Sequence, residues 1–222
     1  MSIAPREKMQ QSKEESNRLL MPFSFSTEDL TSLDRFDSWR EFVRPIFDVE
    51  PHSDGASYGT HCMTTWTVGE LVFCQDSSPG LIYSRSPRRA RMAADDHYHF
   101  YFQKRGSSWG SIDGGRRAGH LSEGLIGRVG LYTMAQPCHG ELRNMEGFTV
   151  FVPRDSVGSL TGILDAQVND AVPGAMGSLL SDYLLQVEHR LPELTQSEAA
   201  GVSRSILELI RACYADSREA RE

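Results

Sequence analysis

The sequence predicts a mostly β fold, an antiparallel sandwich or barrel, with helices before and after it in the chain. Three observations lead to this prediction. Between residues 57 and 153, short apolar or alternating stretches recur, with Gly, Pro, Asp and Ser between them. No segment of helical length separates these stretches, which argues against a parallel α/β sheet. After Pro153 the apolar residues return to helical spacing.

Composition narrows the class of protein. The 222 residues are 39% hydrophobic and 24% charged, which is ordinary for a globular protein with a core. The formal net charge of −7 disfavours a free-standing nucleic-acid binder, because such proteins usually present a basic surface. The four cysteines show neither a Cys-x-x-Cys pair nor zinc-finger spacing, so we expect reduced thiols in a cytoplasmic protein. No apolar run of about 18 residues and no signal-peptide pattern occurs, so no contact with a membrane is expected.

The N-terminal region predicts an arm and then one helix. Residues 1–21 are mostly polar, with little to bury, and are expected to form a flexible arm. Ser26 and Thr27 are suitable N-caps for a helix whose apolar residues recur at steps of three and four. Pro45 is expected to end or kink it. The apolar positions of this helix are Leu33, Phe36, Trp39, Phe42, Val43, Ile46 and Phe47.

About eight short strands are predicted next, and a helical region after them. The strand candidates are residues 57–66, 70–75, 81–84, 97–104, 107–112, 128–134, 140–143 and 148–152, with a turn at Asp113-Gly114. Residues 154–164 are expected to form a short helix, and residues 175–191 a longer one that Pro192 stops. Thr195 or Ser197 should cap a last helix. The two long helices are joined by a short turn, so we expect them to be antiparallel neighbours.

The segment His97-Tyr98-His99 is the sharpest local feature. Because alternate residues of a strand share a face, His97, His99, Tyr101 and Gln103 should point to one side. Two imidazoles on one face can begin a metal site, as in cupin enzymes, with His139 as a later ligand. Gln103 stands where such a site would have a carboxylate, and a neutral amide is a poor substitute. The alternative interpretation is a polar pocket or a solvated face.

A basic run from Arg85 to Arg91 has two interpretations. It could bind an anion or a phosphate. The simpler interpretation is a solvated loop in which an arginine bridges to Asp95-Asp96. No phosphate-binding glycine loop and no Gly-x-Ser-x-Gly elbow occurs, so the sequence offers no anchor for nucleotide hydrolysis or for a serine hydrolase.

Four segments, in this order and spacing, resemble the ligand-binding domain of AraC-type transcription regulators. Residues 36–43 (FDSWREFV) and 85–89 (RSPRR) resemble the opening part of that domain. Residues 95–106 (DDHYHFYFQKRG) are similar to its central hairpin, and residues 148–155 (FTVFVPRD) to its last strand and the exit into a helix. Together the segments span roughly residues 25–215 of the chain.

The resemblance implies a cupin-like antiparallel β-barrel of the double-stranded β-helix type, followed by an antiparallel helix pair. Residues 22–165 would be the effector-binding domain, 166–215 the helical dimerisation segment and 216–222 a linker stub. The expected function is to bind a small-molecule effector and to form a homodimer, without catalysis, cofactor or metal. DNA would be contacted only through a helix-turn-helix domain that is absent from this chain.

The resemblance and the strand alternation together name candidate residues. For the effector site these are His97, His99, Tyr101, Trp109 and Tyr132; for the dimer interface they are Leu180, Leu184, Val187, Ile206, Leu209 and Ile210. Two other hypotheses stay open at this point. One is a metal-dependent cupin enzyme that uses His97, His99 and His139. The other is a truncated regulator that pairs with a full-length relative.

Overall fold

The computed structural model describes residues 17–92, 97–112, 117–119 and 126–215. Four features predicted above therefore lie outside the described residues: most of the arm, the pair Asp95-Asp96, the turn at Asp113-Gly114 and the linker stub at 216–222. No helix among the described residues is long and apolar enough to span a membrane.

One antiparallel sheet organises the described part of the chain. The strands are β1 (Phe23–Ser26), β2 (Asp48–Glu50), β3 (Cys62–Val68), β4 (Leu71–Arg85), β5 (His97–Ile112), β6 (Arg117–Gly119), β7 (Val129–Thr133) and β8 (Cys138–Pro153). Their order in the sheet is β1-β3-β4-β8-β5-β6, with β2 beside β4 and β7 beside β5. The predicted β-rich antiparallel fold with flanking helices is confirmed, whereas the pairings of the described strands do not close the sheet into a ring.

Three long strands replace six of the short ones predicted. β4, β5 and β8 each cover two predicted segments, because irregular residues interrupt the apolar pattern without interrupting the pairing. Gly106 and Asn144 have φ angles of 87° and 47°, and the register of β5 against β8 shifts on either side of Arg105. A Cβ atom at Gly106 would lie 2.3 Å from the Asn144 carbonyl oxygen, so only glycine fits there. These positions bend the sheet across its middle.

The first helix begins later than predicted. Ser26 belongs to β1, where its hydroxyl accepts a hydrogen bond from the Glu28 amide at 3.1 Å, and the helix N-cap is Thr31. The predicted stop at Pro45 is correct to within two residues. At the other end, Thr195 rather than Ser197 is the N-cap of the last helix, and it forms a capping box with Glu198. The helices are α1 (Ser32–Val43), α2 (Pro87–Met92), α3 (Arg154–Val157), α4 (Thr161–Gln167), α5 (Gly174–Arg190) and α6 (Gln196–Cys213).

Two hydrophobic cores lie on opposite faces of the sheet. In β3, Trp66 and Val68 belong to the core that contains α5 and α6. Met63 packs against the other core, which contains α1. Odd and even positions of a strand point to opposite sides, so the sheet separates α1 from the C-terminal helices. On β5, the residues that face the C-terminal helices are Tyr98, Phe100 and Phe102.

The candidate dimer residues are placed inside this C-terminal core. Leu180, Leu184, Ile206 and Ile210 have no exposed surface, Val187 is 6% exposed, and Leu209 packs against the same core at its edge. Their spacing is helical, but the face it marks is the one that packs on the chain's own sheet. A contact with a second chain would therefore need other side chains of these helices.

The last residues of the predicted arm are held against the turn between α5 and α6. The Leu20 amide donates to the Leu194 carbonyl at 2.9 Å, and the Gln196 amide donates to the Arg18 carbonyl at 2.9 Å. Leu20 is buried in the C-terminal core. The arm thus enters the fold beside the helix pair.

Candidate functional site

A cluster of polar side chains lies on the sheet face opposite the C-terminal helices. The alternation predicted for β5 is confirmed here: Tyr98 and Phe100 are fully buried, whereas His99 and Tyr101 point the other way and are half-buried. Tyr132 on β7 is paired with His99. The Tyr101 and Tyr132 rings meet edge to face with centroids 6.3 Å apart, and the His99 ring meets Phe151 at 4.4 Å.

Two glycines of β8 make room for two of the tyrosines. A Cβ atom at Gly147 would lie 2.7 Å from the Tyr101 Oη, and a Cβ atom at Gly140 would lie 2.7 Å from the Tyr83 Oη. Each phenol therefore crosses over the bare backbone of the neighbouring strand. Tyr83 was not among the residues predicted for the site.

The sheet must curl strongly to bring these groups together. Nine residues separate Tyr83 from Cys74, the residue of β4 that lies level with Tyr101 in the sheet. In a straight strand nine residues span about 30 Å. Tyr83 is nevertheless close enough to contribute to the raised pKa of Tyr101. The face that carries these tyrosines is therefore concave.

Asp76 adds a carboxyl group to this concave face. It is paired with Gly147 in the sheet, so it lies beside the position over which the Tyr101 phenol reaches. Burial alone raises the pKa of Asp76 from 3.8 to about 7, and no described residue gives its carboxylate a hydrogen bond. We call Asp76, Tyr83, His99, Tyr101 and Tyr132 the pocket cluster.

Desolvation keeps most of the polar groups of the pocket cluster uncharged at neutral pH. Burial, with smaller effects from His97 and Arg85, lowers the pKa of His99 to about 3. Burial raises the pKa of Tyr132 to about 12, and it raises those of Tyr83 and Tyr101 well above the usual phenol range. At neutral pH the imidazole and the phenols are therefore neutral, and Asp76 is the member of the pocket cluster whose pKa lies near neutrality.

Two arginines of the basic run, Arg85 and Arg89, are structural. The guanidinium of Arg85 is buried and donates to the carbonyl oxygens of Met134, Ile46 and Arg89 at 3.0, 2.5 and 3.3 Å. Arg89 in turn donates to Asp48 at 2.9 Å. These arginines tie α2 and the end of α1 to the sheet, so they are not available to hold an anion.

The structure does not bring all of the predicted site residues together. Trp109 is 41% exposed and lies well along β5 from Tyr101. His139 is exposed and follows Cys138, a neighbour of Tyr83 and Arg85, so strand alternation turns it away from His99. The Gln103 amide is buried and donates to the Gly106 carbonyl within the bend of β5. Among the described residues, no three His, Cys, Asp or Glu side chains converge as metal ligands.

A second polar contact lies on the other face of β5. The Glu188 carboxylate of α5 is buried, and it accepts from Lys104 of β5 at 2.6 Å and from Gln75 of β4 at 2.5 Å. The spacing of polar residues in α5 did not indicate this contact. It fixes the helix to the two strands that also carry Asp76 and Tyr101.

The comparisons with known proteins agree with the resemblance noted in the sequence. The chain is similar to the crystal structure of the AraC-like transcriptional activator CuxR, with a TM-score of 0.75 and 26% sequence identity. The match covers 88% of this chain and 70% of that one, and it confirms the resemblance to AraC-type regulators. No protein-family model and no curated protein matches the chain.

Proposed function

We propose that this chain is the effector-binding and dimerisation domain of a cytoplasmic AraC-type transcription regulator. In this proposal the curled sheet is a cupin-like barrel, its concave face binds a small molecule, and DNA is contacted by a helix-turn-helix domain and not by the residues described above. The observation that carries the proposal is the pocket cluster, found in a fold similar to that of an AraC-like activator.

The pocket cluster has the character of a binding site. Its side chains are half-buried, come from β4, β5 and β7, and combine aromatic surface with a few polar atoms. Pockets for small molecules usually have this composition. A core that served only stability would bury apolar side chains here, because a carboxylate out of water without a hydrogen bond, such as that of Asp76, costs free energy.

β5 offers a physical route from the pocket to the helices. His99 and Tyr101 face the pocket, while Phe100 and Phe102, the residues next to them, pack in the core with the C-terminal helices. Lys104 continues this contact through its ion pair with Glu188. An effector that prefers one position of β5 would thereby favour one position of α5, which is a population shift between two arrangements of the domain.

Ligand-dependent stabilisation tests the effector site. We expect some members of a chemically diverse set of small molecules to raise the thermal unfolding temperature of the full chain, because a ligand that binds only the folded state stabilises it. Tyr132→Leu should weaken this effect at least tenfold, because it removes a ring edge and a phenol from the pocket. The exposed Leu33 on α1 provides the matched control, Leu33→Ala, which should bind normally.

The result that contradicts the proposal is equally specific. Molecules that stabilise the wild type, the Tyr132→Leu variant and the Leu33→Ala variant to the same extent would bind elsewhere. The pocket cluster would then be a structural feature of the sheet.

A further inference from the structure

The Asp76 carboxyl group is the feature of the pocket for which no structural role explains the cost of burial. It lies on the concave face, beside the Tyr101 phenol that reaches over Gly147. No described residue hydrogen-bonds to its carboxylate, and no cation of the described chain pairs with it. A buried carboxylate is usually paired or hydrogen-bonded, because its transfer out of water is costly.

The groups around Asp76 are acceptors and ring surfaces. The Tyr101 phenol donates to the Met145 Sδ at 2.6 Å, a weak acceptor, which leaves the lone pairs of its oxygen free. The Tyr132 ring stands across Tyr101, and Met63 is paired with Asp76 from β3. The Arg85 guanidinium, whose charge reaches His99 of the cluster, is engaged by three backbone carbonyls.

This arrangement selects against an anionic ligand and in favour of a cationic one. An anion would be repelled by ionised Asp76, and Arg85, the arginine whose charge reaches His99 of the cluster, is already engaged by backbone carbonyls. A neutral alcohol could accept and donate, but it would leave the carboxylate charge uncompensated. An ammonium group supplies donors and a positive charge to the carboxylate, and aromatic rings attract cations by about 0.5–2 kcal/mol each.

We propose that the effector of this pocket carries a protonated amine, with the Asp76 carboxylate as its counter-ion and the Tyr101 and Tyr132 rings beside it. The proposal rests on the proposed function, because it concerns the same pocket. The amine binds to the ionised carboxylate, so a proton leaves Asp76 for the solvent when the amine enters at a pH at which that carboxyl is still protonated. The titratable groups that interact with Asp76 are Cys74 on the same strand and Tyr101 on β5. They stay neutral at physiological pH, as do Tyr83, Tyr132 and His99 in the rest of the cluster.

Three probes of equal size and different charge test the proposal on the full chain. They are 2-phenylethylamine, 2-phenylethanol and phenylacetate, titrated against protein with isotope-labelled tyrosine rings and followed by NMR. We expect 2-phenylethylamine to shift the Tyr101 and Tyr132 signals with an affinity at least tenfold higher than that of the other two. Asp76→Asn should weaken the amine at least tenfold. Asp182→Asn, which removes the same charge from an exposed position of α5, should not change it.

The outcomes separate this proposal from the one on which it rests. If the alcohol or the carboxylate binds as well as the amine, or if Asp76→Asn binds the amine as tightly as the wild type, the pocket still binds small molecules and the amine proposal is overturned. If none of the three probes shifts the Tyr101 and Tyr132 signals at millimolar concentration, the amine proposal is overturned. The proposed function is then decided separately, by the thermal unfolding test with the diverse set of small molecules.

Discussion

At the scale of the residue, Asp76 and His99 act in opposite directions on the free energy of unfolding. Burial raises the pKa of Asp76 from 3.8 to about 7, so between these values the folded chain holds a proton that the unfolded chain has released. Stability therefore falls as pH rises through this window. Burial lowers the pKa of His99 from 6.5 to about 3, so in that window only the unfolded chain holds the proton, and stability rises with pH. The two effects oppose each other where the windows overlap.

Single substitutions should separate the two slopes. Asp76→Asn removes the contribution of Asp76 to the free energy of unfolding and leaves that of His99. We therefore expect the stability of this variant, relative to the wild type, to rise with pH between about pH 4 and 6.5. His99→Gln leaves the contribution of Asp76, and its relative stability should fall over the same range. Each slope should reach at most about 1.4 kcal/mol per pH unit. Urea unfolding at several pH values measures both, and two profiles parallel to that of the wild type would mean that neither group is desolvated.

Gly147 is expected to tolerate no side chain. In Gly147→Ala the new Cβ would lie 2.4 Å from the Phe102 carbonyl oxygen and 2.7 Å from the Tyr101 Oη. Such overpacking should lower the free energy of unfolding by about 1–3 kcal/mol. The matched control is Gly162→Ala in α4, where no atom lies within 4 Å of the added Cβ, and where alanine should stabilise the helix by up to about 1 kcal/mol. Equal stability of the two variants in urea would contradict this account of the Tyr101 position.

At the scale of the element, the sequence predicted which side chains share a strand face better than it predicted where each strand begins and ends. The alternation of His97 to Phe102 correctly separated the pocket side of β5 from its core side, because side-chain direction in a strand depends only on parity. The same rule puts Asp76 and Tyr83, seven residues apart, on opposite faces of β4. Phe73 and Leu81 also share parity but pack in opposite cores. The alternation therefore changes at the bend beside Asn144 and Gly106, and Asp76 and Tyr83 come to one pocket. That bend depends on left-handed backbone and on pairing between distant strands, which a local pattern does not contain.

The helix pair also shows what a local sequence pattern does not contain. Its apolar stripe was predicted from spacing, and the stripe exists, but spacing does not say which surface covers it. In the structure the chain's own sheet covers Leu180 and Leu184. Asp76 and Tyr83 were missed for a related reason. Only the cross-strand register shows that the Tyr83 and Tyr101 phenols fill the spaces above Gly140 and Gly147.

The ion pair between β5 and α5 should show strong coupling between its partners. Lys104→Met leaves the buried Glu188 carboxylate without its cation and should cost roughly 3 kcal/mol. Glu188→Met leaves Lys104, which is only partly buried, and should cost less. The double variant replaces the pair by apolar side chains, so we expect it to be more stable than the sum of the single losses predicts. Urea unfolding of the four proteins measures this coupling, and additive losses would show that the pair does not hold α5 to the strand.

At the scale of the whole molecule, the sheet separates two helical layers. α1 and the segment after it cover one side of the sheet, where Phe47 meets Tyr83 edge to face at 5.6 Å. The C-terminal helices cover the other side. A ligand in the pocket therefore contacts strands whose opposite face packs against α5 and α6. The position of those helices, rather than their internal structure, is what such a ligand can change.

Self-association should depend on the outer side of the helix pair. The residues first named for a dimer contact are buried, apart from Leu209 at the edge of the core. Among the described residues of α5, Leu179 is a large apolar side chain that stays 54% exposed. We expect the full chain to be a dimer in light scattering at micromolar concentration, and Leu179→Asp to weaken the dimer at least tenfold by placing a charge in the contact. Leu33→Asp is the matched control, because Leu33 is 77% exposed on α1, a helix on the other face of the sheet. If Leu33→Asp dissociates the dimer and Leu179→Asp does not, the contact belongs to the α1 layer. A wild-type chain that stays monomeric would remove dimerisation from the proposed function and leave the pocket as its basis.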